Sequence, residues 1–144
     1  MVDDFAPLRR FVAQIFQRQP GLQIVCEVSD GLEAVQKAQE LQPDLVLLDI
    51  GLPKLNGIET ARRIRTLCPA SKILFVSQEG SADVVQEALR LGAGGYVVKA
   101  DAGSELLTAV NAVLRGERFI GGRFAGLDFF GVSLARDQEN LRCN

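Results

Sequence analysis

The sequence predicts an α/β fold in which helices cover both faces of a parallel sheet. Segments with apolar residues at helical spacing alternate with short apolar runs along the 144 residues. Several of these runs lack the period-two alternation of half-exposed strands, which is typical of parallel strands buried on both faces. Strands that alternate with helices of this length predict right-handed βαβ units and a doubly wound sheet.

The first half of the chain supplies two helices and two strands. Ala6 to Gln17 carries apolar residues at helical spacing and ends at the turn "RQPG". Gln23 to Val28 ("QIVCEV") has the composition of a strand. After "SDG" a helix is predicted over Leu32 to Leu41, ending before Pro43, and Asp44 to Leu48 ("DLVLL") is an apolar strand.

The second half repeats the alternation. A helix from Gly57 to Leu67 ends at the Cys68-Pro69 pair, and Lys72 to Val76 ("KILFV") is the next strand. Ala82 to Leu91 is a helix followed by a glycine suited to a left-handed C-cap. The remaining elements are a short strand over 95–98 ("GYVV") and a last helix over Ser104 to Arg115.

Composition excludes several classes of function. The chain has no histidine, which rules out Ser-His-Asp catalysis, a histidine general base and histidine-ligated zinc within it. The net charge of -2 gives no general attraction to nucleic acid, and no segment reads as a membrane span or a signal peptide. Three widely spaced cysteines (Cys26, Cys68 and Cys143) suit a reducing compartment. We therefore expect a cytoplasmic protein that binds neither nucleic acid nor membrane directly.

Polar residues directly follow four of the strand-like runs. Asp3 and Asp4 follow the first two residues, Asp49 follows "VLL", Ser77 follows "LFV" and Lys99 follows "YVV". Carboxyl ends of parallel strands meet at the crevice where open α/β sheets bind ligands. Each residue taken alone is more often a turn, capping or surface residue. Their joint position predicts a single site.

The chemistry of this set suits a phosphoryl group. Three carboxylates at one edge repel one another unless a cation neutralises them, and oxygen ligands favour Mg²⁺. Lys99 adds a positive charge and Ser77 a hydroxyl donor. Asp49 is the candidate nucleophile, because a carboxylate can attack phosphorus to form an aspartyl phosphate. Gly51 permits a close backbone approach and offers its carbonyl to the metal.

Four motifs together resemble the receiver domain of two-component response regulators: "VDD", "PDLVLLDIGLPKLNG", "ILFVS" and "GAGGYVVKAD". The resemblance runs from Val2 to about Phe124. Within the family, the chain is most similar to receivers of the LuxR-type (NarL/FixJ-like) subgroup. It implies a flavodoxin-like five-stranded parallel sheet of order 2-1-3-4-5. It also implies that Asp49 accepts phosphate from a histidine kinase or phosphotransfer protein.

The same resemblance assigns roles around the site. Asp4, Asp49 and the Gly51 carbonyl would bind Mg²⁺ directly, Asp3 would act mostly through water, and Lys99 would pair with the phosphoryl group. The resemblance thus implies a chain that catalyses its own phosphorylation and dephosphorylation and is not a dedicated metabolic enzyme.

A second group of residues resembles the family's switch. A phosphoryl group would pull the Ser77 hydroxyl inward, vacate space for the Tyr96 ring and move the face of the fourth helix, fifth strand and fifth helix. Gln78 stands where the family usually has a small residue that lines access to the aspartate, so it would slow phosphoryl entry or alter dephosphorylation. The exposed edge of the last helix, within Ser104 to Arg115, is a candidate face for a phosphorylation-dependent homodimer.

The two ends of the chain depart from the family pattern. Only Met1-Val2 precedes the acidic pair, so the first strand is expected to be truncated. Three explanations are open: the given sequence starts too late, the protein is truly shortened, or residues 127–134 ("LDFFGVSL") supply a substitute strand, in their own chain or in a partner's. We expect a receiver domain over 1–124 and a tail over 125–144 without a recognisable DNA-binding domain. The chain is then either a receiver cut from a longer regulator or a stand-alone receiver.

Two other functions fit part of the pattern. A pseudo-receiver would use the same fold as a constitutive protein-interaction module, against which the full set of acidic, hydroxyl and lysine residues argues. An aspartyl-phosphate hydrolase generally needs a second acid two residues beyond its nucleophile, and that position is Gly51 here.

Overall fold

The fold was analysed in a computed structural model, which describes residues 1–124. The tail over 125–144, including the substitute strand considered for 127–134, lies outside the described residues. The described part contains five α-helices: α1 (Ala6–Gln17), α2 (Gly31–Leu41), α3 (Gly57–Leu67), α4 (Ala82–Arg90) and α5 (Ala102–Leu114). Its four strands are β1 (Leu45–Leu48), β2 (Lys72–Ser77), β3 (Gly95–Val98) and β4 (Phe119–Ile120).

Side chains cap three of the helices at their N-termini. Asp30 accepts a hydrogen bond from the backbone N–H of Glu33 at the start of α2, and Asn56 accepts one from Glu59 at the start of α3. The Ser81 hydroxyl accepts from Val84 at the start of α4. A capping side chain satisfies one of the backbone donors that a helix leaves unpaired in its first turn. The capping residue at the end of each loop therefore fixes where the next helix begins.

The sheet is parallel and has the order β1-β2-β3-β4. Two isolated parallel bridges extend it beyond β1, because Val2 pairs with Leu48 on one side and with Val28 on the other. The chain therefore crosses the sheet in the order Val28, Val2, β1, β2, β3, which is the predicted order 2-1-3-4-5. The predicted flavodoxin-like fold and its truncated first strand are confirmed.

The predicted strand over Gln23 to Val28 is wrong, since only Val28 forms a bridge. Its partner is reduced to the first residues of the chain: the Val28 N–H donates to the Met1 carbonyl, and the Met1 amino group donates to the Cys26 carbonyl at 3.0 Å. Among residues 1–124, no strand lies beside residues 23–25 to form a ladder with them. Composition favours a strand there, but a strand requires a partner.

A cavity of about 370 Å³ lies beside this incomplete edge. Its walls include Phe16 of α1, Ala38 of α2, Leu47 of β1 and Val110 of α5, together with residues 21–26. The cavity thus separates β1 from the segment that would otherwise be the edge strand. The amino group of Met1 is partly buried beside it, and this burial lowers the pKa of that group.

Strand residues face two different helical layers. Leu74, Val76 and Val97 pack in a cluster with α1 and α5. Ile73, Phe75, Tyr96 and Val98 pack in a second cluster with α2, α3 and α4. Both faces are covered, which explains why the strands carry no polar alternation.

The fourth strand was not predicted. Phe119 and Ile120 pair in parallel with Gly95 and Tyr96 on the outer side of β3. A two-residue strand is too short to leave a periodic pattern in the sequence. Within residues 1–124, no helix has the length and apolar character needed to cross a bilayer.

Candidate functional site

The structure brings the predicted polar residues together at the carboxyl edge of the sheet. Asp3, Asp49 and Ser77 are buried, each with at most 6 % of its surface exposed. Asp4 is exposed, and the Lys99 side chain is 14 % exposed. Buried carboxylates require compensating partners, so their bonds define what the site does.

Backbone hydrogen bonds hold the two buried aspartates in place. The Asp49 N–H donates to the Val2 carbonyl at 3.1 Å, and Asp49 Oδ1 accepts from the Ile50 N–H at 2.7 Å. Asp3 Oδ1 accepts from the Phe5 N–H at 2.8 Å. The single bridging residue Val2 therefore places the acidic pair beside β1 although the strand before it is truncated.

Lys99 joins both aspartates from the end of β3. Its Nζ lies 2.9 Å from Asp3 Oδ2 and 3.1 Å from Asp49 Oδ2. Burial alone would lower the pKa of the Lys99 ammonium, but its hydrogen bond to Asp3 and the charge of Asp49 raise that pKa above its ordinary value. The lysine is therefore a stable positive charge at the centre of the site.

The acidic group has the composition of a divalent-cation site. Asp3, Asp4 and Asp49 each offer a carboxylate oxygen, and these oxygens lie within 4.8 Å of one another. Three carboxylates face one lysine, which leaves an excess of negative charge, and hard oxygen donors with one exposed member suit Mg²⁺. In the neighbouring loop, the N–H groups of Leu52 and Gly57 donate to Ile50. Within residues 1–124, nothing donates to the Gly51 carbonyl, so it is available as a ligand.

Ser77 and Tyr96 are linked through the backbone of Glu79. The Ser77 hydroxyl accepts from the Glu79 N–H at 3.2 Å, and the Tyr96 hydroxyl donates to the Glu79 carbonyl at 2.6 Å. Tyr96 is fully buried, and burial raises its pKa to about 12. Without the family resemblance, a half-buried aromatic residue would have been expected there. Gln78, which lies between Ser77 and Glu79 in the sequence, is exposed.

Two residues of the site were not predicted. Arg9 of α1 donates to the Asp3 carbonyl at 2.6 Å and lies 3.6 Å from Glu27, so it ties α1 to the acidic loop. Gly57 packs so closely on the Asp49 carbonyl that a Cβ would collide with it. The glycine could have been suspected from its place after Asn56, but no sequence pattern marks the arginine.

Comparison with known proteins decides the family. Residues 1–111 match the response regulator receiver domain. The chain belongs to this family. The receiver is 36 % identical over 113 residues to the chemotaxis protein CheY of Thermotoga maritima, covering 78 % of this chain and 93 % of that protein. The expectation of a two-component receiver is thereby confirmed.

The LuxR-type subgroup is also supported. The receiver is 34 % identical over 117 residues to the nitrate/nitrite response regulator protein NarL of Escherichia coli K12, covering 81 % of this chain and 54 % of that protein. A two-component response regulator of the LuxR family from Aurantimonas sp. SI85-9A1 has a similar structure, with a TM-score of 0.82 and 35 % identity. That match covers 86 % of this chain and 89 % of the other. The receiver spans about half the length of NarL and of the other transcriptional regulators it matches.

Proposed function

We propose that this receiver accepts a phosphoryl group on Asp49 from a histidine kinase or a phosphotransfer protein. The convergence of Asp49, Lys99 and two further aspartates at one buried edge is the observation that carries the proposal. An Asp49 oxygen attacks phosphorus while the bond from phosphorus to the donor's imidazole nitrogen breaks. The electron pair of that bond returns to the nitrogen.

Residues around Asp49 support this transfer. Lys99 lies against Asp49 Oδ2 and is positioned to pair with the phosphoryl oxygens once they are attached to Asp49. The buried Ser77 hydroxyl can donate a hydrogen bond to the same oxygens. Asp4, Asp49 and the Gly51 carbonyl would hold Mg²⁺ directly, and Asp3 would contact it through water. A bound Mg²⁺ would neutralise negative charge on the transferring group.

The output is a change of a protein-interaction surface. The phosphoryl group adds about -1.5 to -2 charges and new acceptor oxygens, which draw the Ser77 hydroxyl towards Asp49. Tyr96 follows, because Glu79 links its hydroxyl to Ser77. We propose that residues 1–124 form the receiver domain that acts in this way in the cytoplasm.

The test is phosphorylation by acetyl phosphate in Mg²⁺, followed by intact mass. The wild-type chain is expected to gain one phosphoryl group, and Asp49→Asn is expected to gain none. Asp44→Asn is the matched control, because it removes a carboxylate just before the same strand and should leave the gain intact. Omission of Mg²⁺ should slow the reaction strongly.

Other outcomes favour the alternatives. A folded wild-type chain without an Asp49-dependent adduct would be a pseudo-receiver, a constitutive interaction module. Rapid turnover of a phosphorylated small molecule would indicate a hydrolase. Faster phosphorylation of Gln78→Ala would support an access role for this exposed side chain. Sedimentation with and without beryllofluoride tests whether the exposed edge of α5 forms a homodimer.

A further inference from the structure

Residues 119–124, here called the strap, run along the outer edge of the sheet beside Tyr96. Phe119 and Ile120 pair with Gly95 and Tyr96 of β3. The Phe119 N–H donates to the Gly94 carbonyl at 3.1 Å, and the Gly121 N–H donates to the Tyr96 carbonyl at 3.2 Å. The strap is thus bonded to the backbone of the proposed switch residue itself.

The rest of the strap is fastened to carboxylates at the start of α5. The Gly122 N–H donates to Glu105 Oε2 at 2.8 Å, and Arg123 bonds both oxygens of Asp101 at 2.6 and 3.0 Å. The Arg123 guanidinium holds the pKa of the Asp101 carboxyl below its ordinary value. Exposed ion pairs contribute little to stability, so these contacts orient the strap without locking it.

An aromatic contact joins the strap to the switch. The Phe124 ring is buried and meets the Tyr96 ring edge to face, with centroids 6.4 Å apart at an angle of 84°. Phe75 of β2 covers Tyr96 from another direction, with centroids 6.0 Å apart. The Tyr96 ring therefore packs against both Phe75 and Phe124, and a displacement of the ring changes its contact with Phe124.

Tyr96 also connects the strap to the phosphorylation site. Its hydroxyl is bonded to the Glu79 carbonyl, and the Glu79 N–H is bonded to the Ser77 hydroxyl. A displacement of Ser77 therefore pulls on Glu79, and Glu79 pulls on the Tyr96 hydroxyl. These contacts form a continuous path from Ser77, at the edge of the sheet that holds Asp49, to Phe124.

We propose that the strap is an output element of the switch, with Phe124 as the residue that reads the position of Tyr96. This inference rests on the proposed phosphorylation of Asp49. Movement of Ser77 and Glu79 towards the phosphoryl group tilts the Tyr96 ring away from Phe124. The edge-to-face contact is lost, and the strap loosens from β3 and α5.

Hydrogen exchange of the strap amides tests the proposal directly. Beryllofluoride and Mg²⁺ stand in for the phosphoryl group, and fluorine NMR establishes that they are bound in the wild-type chain and absent from Asp49→Asn. Exchange of residues 119–124 is expected to become about two- to ten-fold faster in the bound state, the factor that loss of one aromatic contact would produce. Tyr96 is the only tyrosine and the chain has no tryptophan, so intrinsic fluorescence reports its ring independently.

A pair of matched variants separates transmission from simple loosening. Phe124→Leu keeps an apolar side chain but removes the ring contact, so strap exchange should no longer respond to beryllofluoride. Phe119→Leu makes the same change in the same strap, but Phe119 packs on the side of α1 and α5 rather than on Tyr96. Its response should match that of the wild-type chain.

The outcomes distinguish two failures. Equal strap exchange with and without bound beryllofluoride would overturn the inference alone, as would a full response in Phe124→Leu. Absence of bound beryllofluoride from the folded wild-type chain would overturn the proposed function, and the inference with it.

Discussion

At the scale of single residues, Lys99 supplies the positive charge that compensates the buried carboxylates of the site. It is bonded to both Asp3 and Asp49, which are almost fully buried. A lysine in this position compensates two charges that water does not reach, so it serves stability as well as the proposed chemistry.

Replacement of Lys99 by methionine is therefore expected to lower the free energy of unfolding by about 3 kcal/mol, because it leaves two buried carboxylates uncompensated. Mg²⁺ should restore part of the loss. Urea unfolding with and without Mg²⁺ measures both effects. Lys54→Met is the matched control: its side chain is 64 % exposed and lies 3.6 Å from Asp30, so it should cost less than about 1 kcal/mol. Equal losses in the two variants would contradict the assignment.

Tyr96 gives a second prediction at this scale. Its pKa is raised to about 12 by burial, whereas an unfolded tyrosine titrates near 10. As pH rises, the unfolded chain loses the tyrosine proton first, so the free energy of unfolding should fall from about pH 10 upward. The raised pKa of Lys99 acts in the same direction. Ultraviolet titration reports this single tyrosine directly, and ionisation near pH 10 in the folded chain would refute the predicted burial effect.

At the scale of elements, the loop between β1 and α3 sets the position of Asp49. Gly57 begins α3 against the Asp49 carbonyl, and its N–H donates to Ile50 at 2.7 Å. Gly51, in the same loop, has open space around its Cα. Although both glycines lie close to Asp49 in the same loop, only Gly57 is required by close packing.

Gly57→Ala is expected to destabilise the chain by about 1–3 kcal/mol and to displace Asp49, because the added Cβ has no room. Gly51→Ala should be nearly neutral and should retain Mg²⁺ binding, since its carbonyl remains. Thermal unfolding measures the first effect, and Mg²⁺ titration measures the second. Similar behaviour of the two variants would mean that the close packing at Gly57 has no consequence.

Elements also show what the sequence could and could not predict. The bounds of α1 and α3 match the prediction, because local signals define them: Pro7 and Pro20 near the ends of α1, and the Asn56 cap and Pro69 around α3. The strand over 23–28 was wrong because pairing depends on a distant segment rather than on composition. β4 was missed because its two residues are too few to leave a periodic pattern. Among site residues, Asp49, Ser77 and Lys99 could be placed from strand ends, but Arg9 reaches Asp3 through tertiary packing that no motif records.

At the scale of the whole molecule, the sheet edge beside Met1 borders the cavity that separates β1 from residues 21–26. The cavity of about 370 Å³ is lined by residues 45–47 of β1 on one side and by residues 24–26 on the other. A strand placed between these two segments could pair with both. Alternate residues of a parallel strand bond to opposite neighbours, so the odd-numbered residues of β1 face this space, as Leu47 does when it accepts from Val2.

An engineered extension of Val-Ile-Leu-Val before Met1 is therefore expected to raise the free energy of unfolding by about 2 kcal/mol, the value of burying a large apolar side chain. It should also slow amide exchange at Ile24 and Cys26. Urea unfolding and hydrogen exchange measure the two effects. An extension of Gly-Ser-Gly-Ser has the same length without apolar side chains, and an equal gain from it would show that the cavity is not filled by a strand.

The capped helices have a consequence for the field at the site. Helices α2, α3 and α4 all begin in loops at the carboxyl edge of the sheet, each with its cap beside the first turn. Aligned peptide dipoles give a helix a partial positive charge at its N-terminus. An approaching phosphoryl group therefore meets the positive ends of several helices, although the chain as a whole carries a net charge of -2. The doubly wound fold thus places partial positive charge at the edge where the carboxylates of the site leave an excess of negative charge, and so offsets part of their repulsion of an anion.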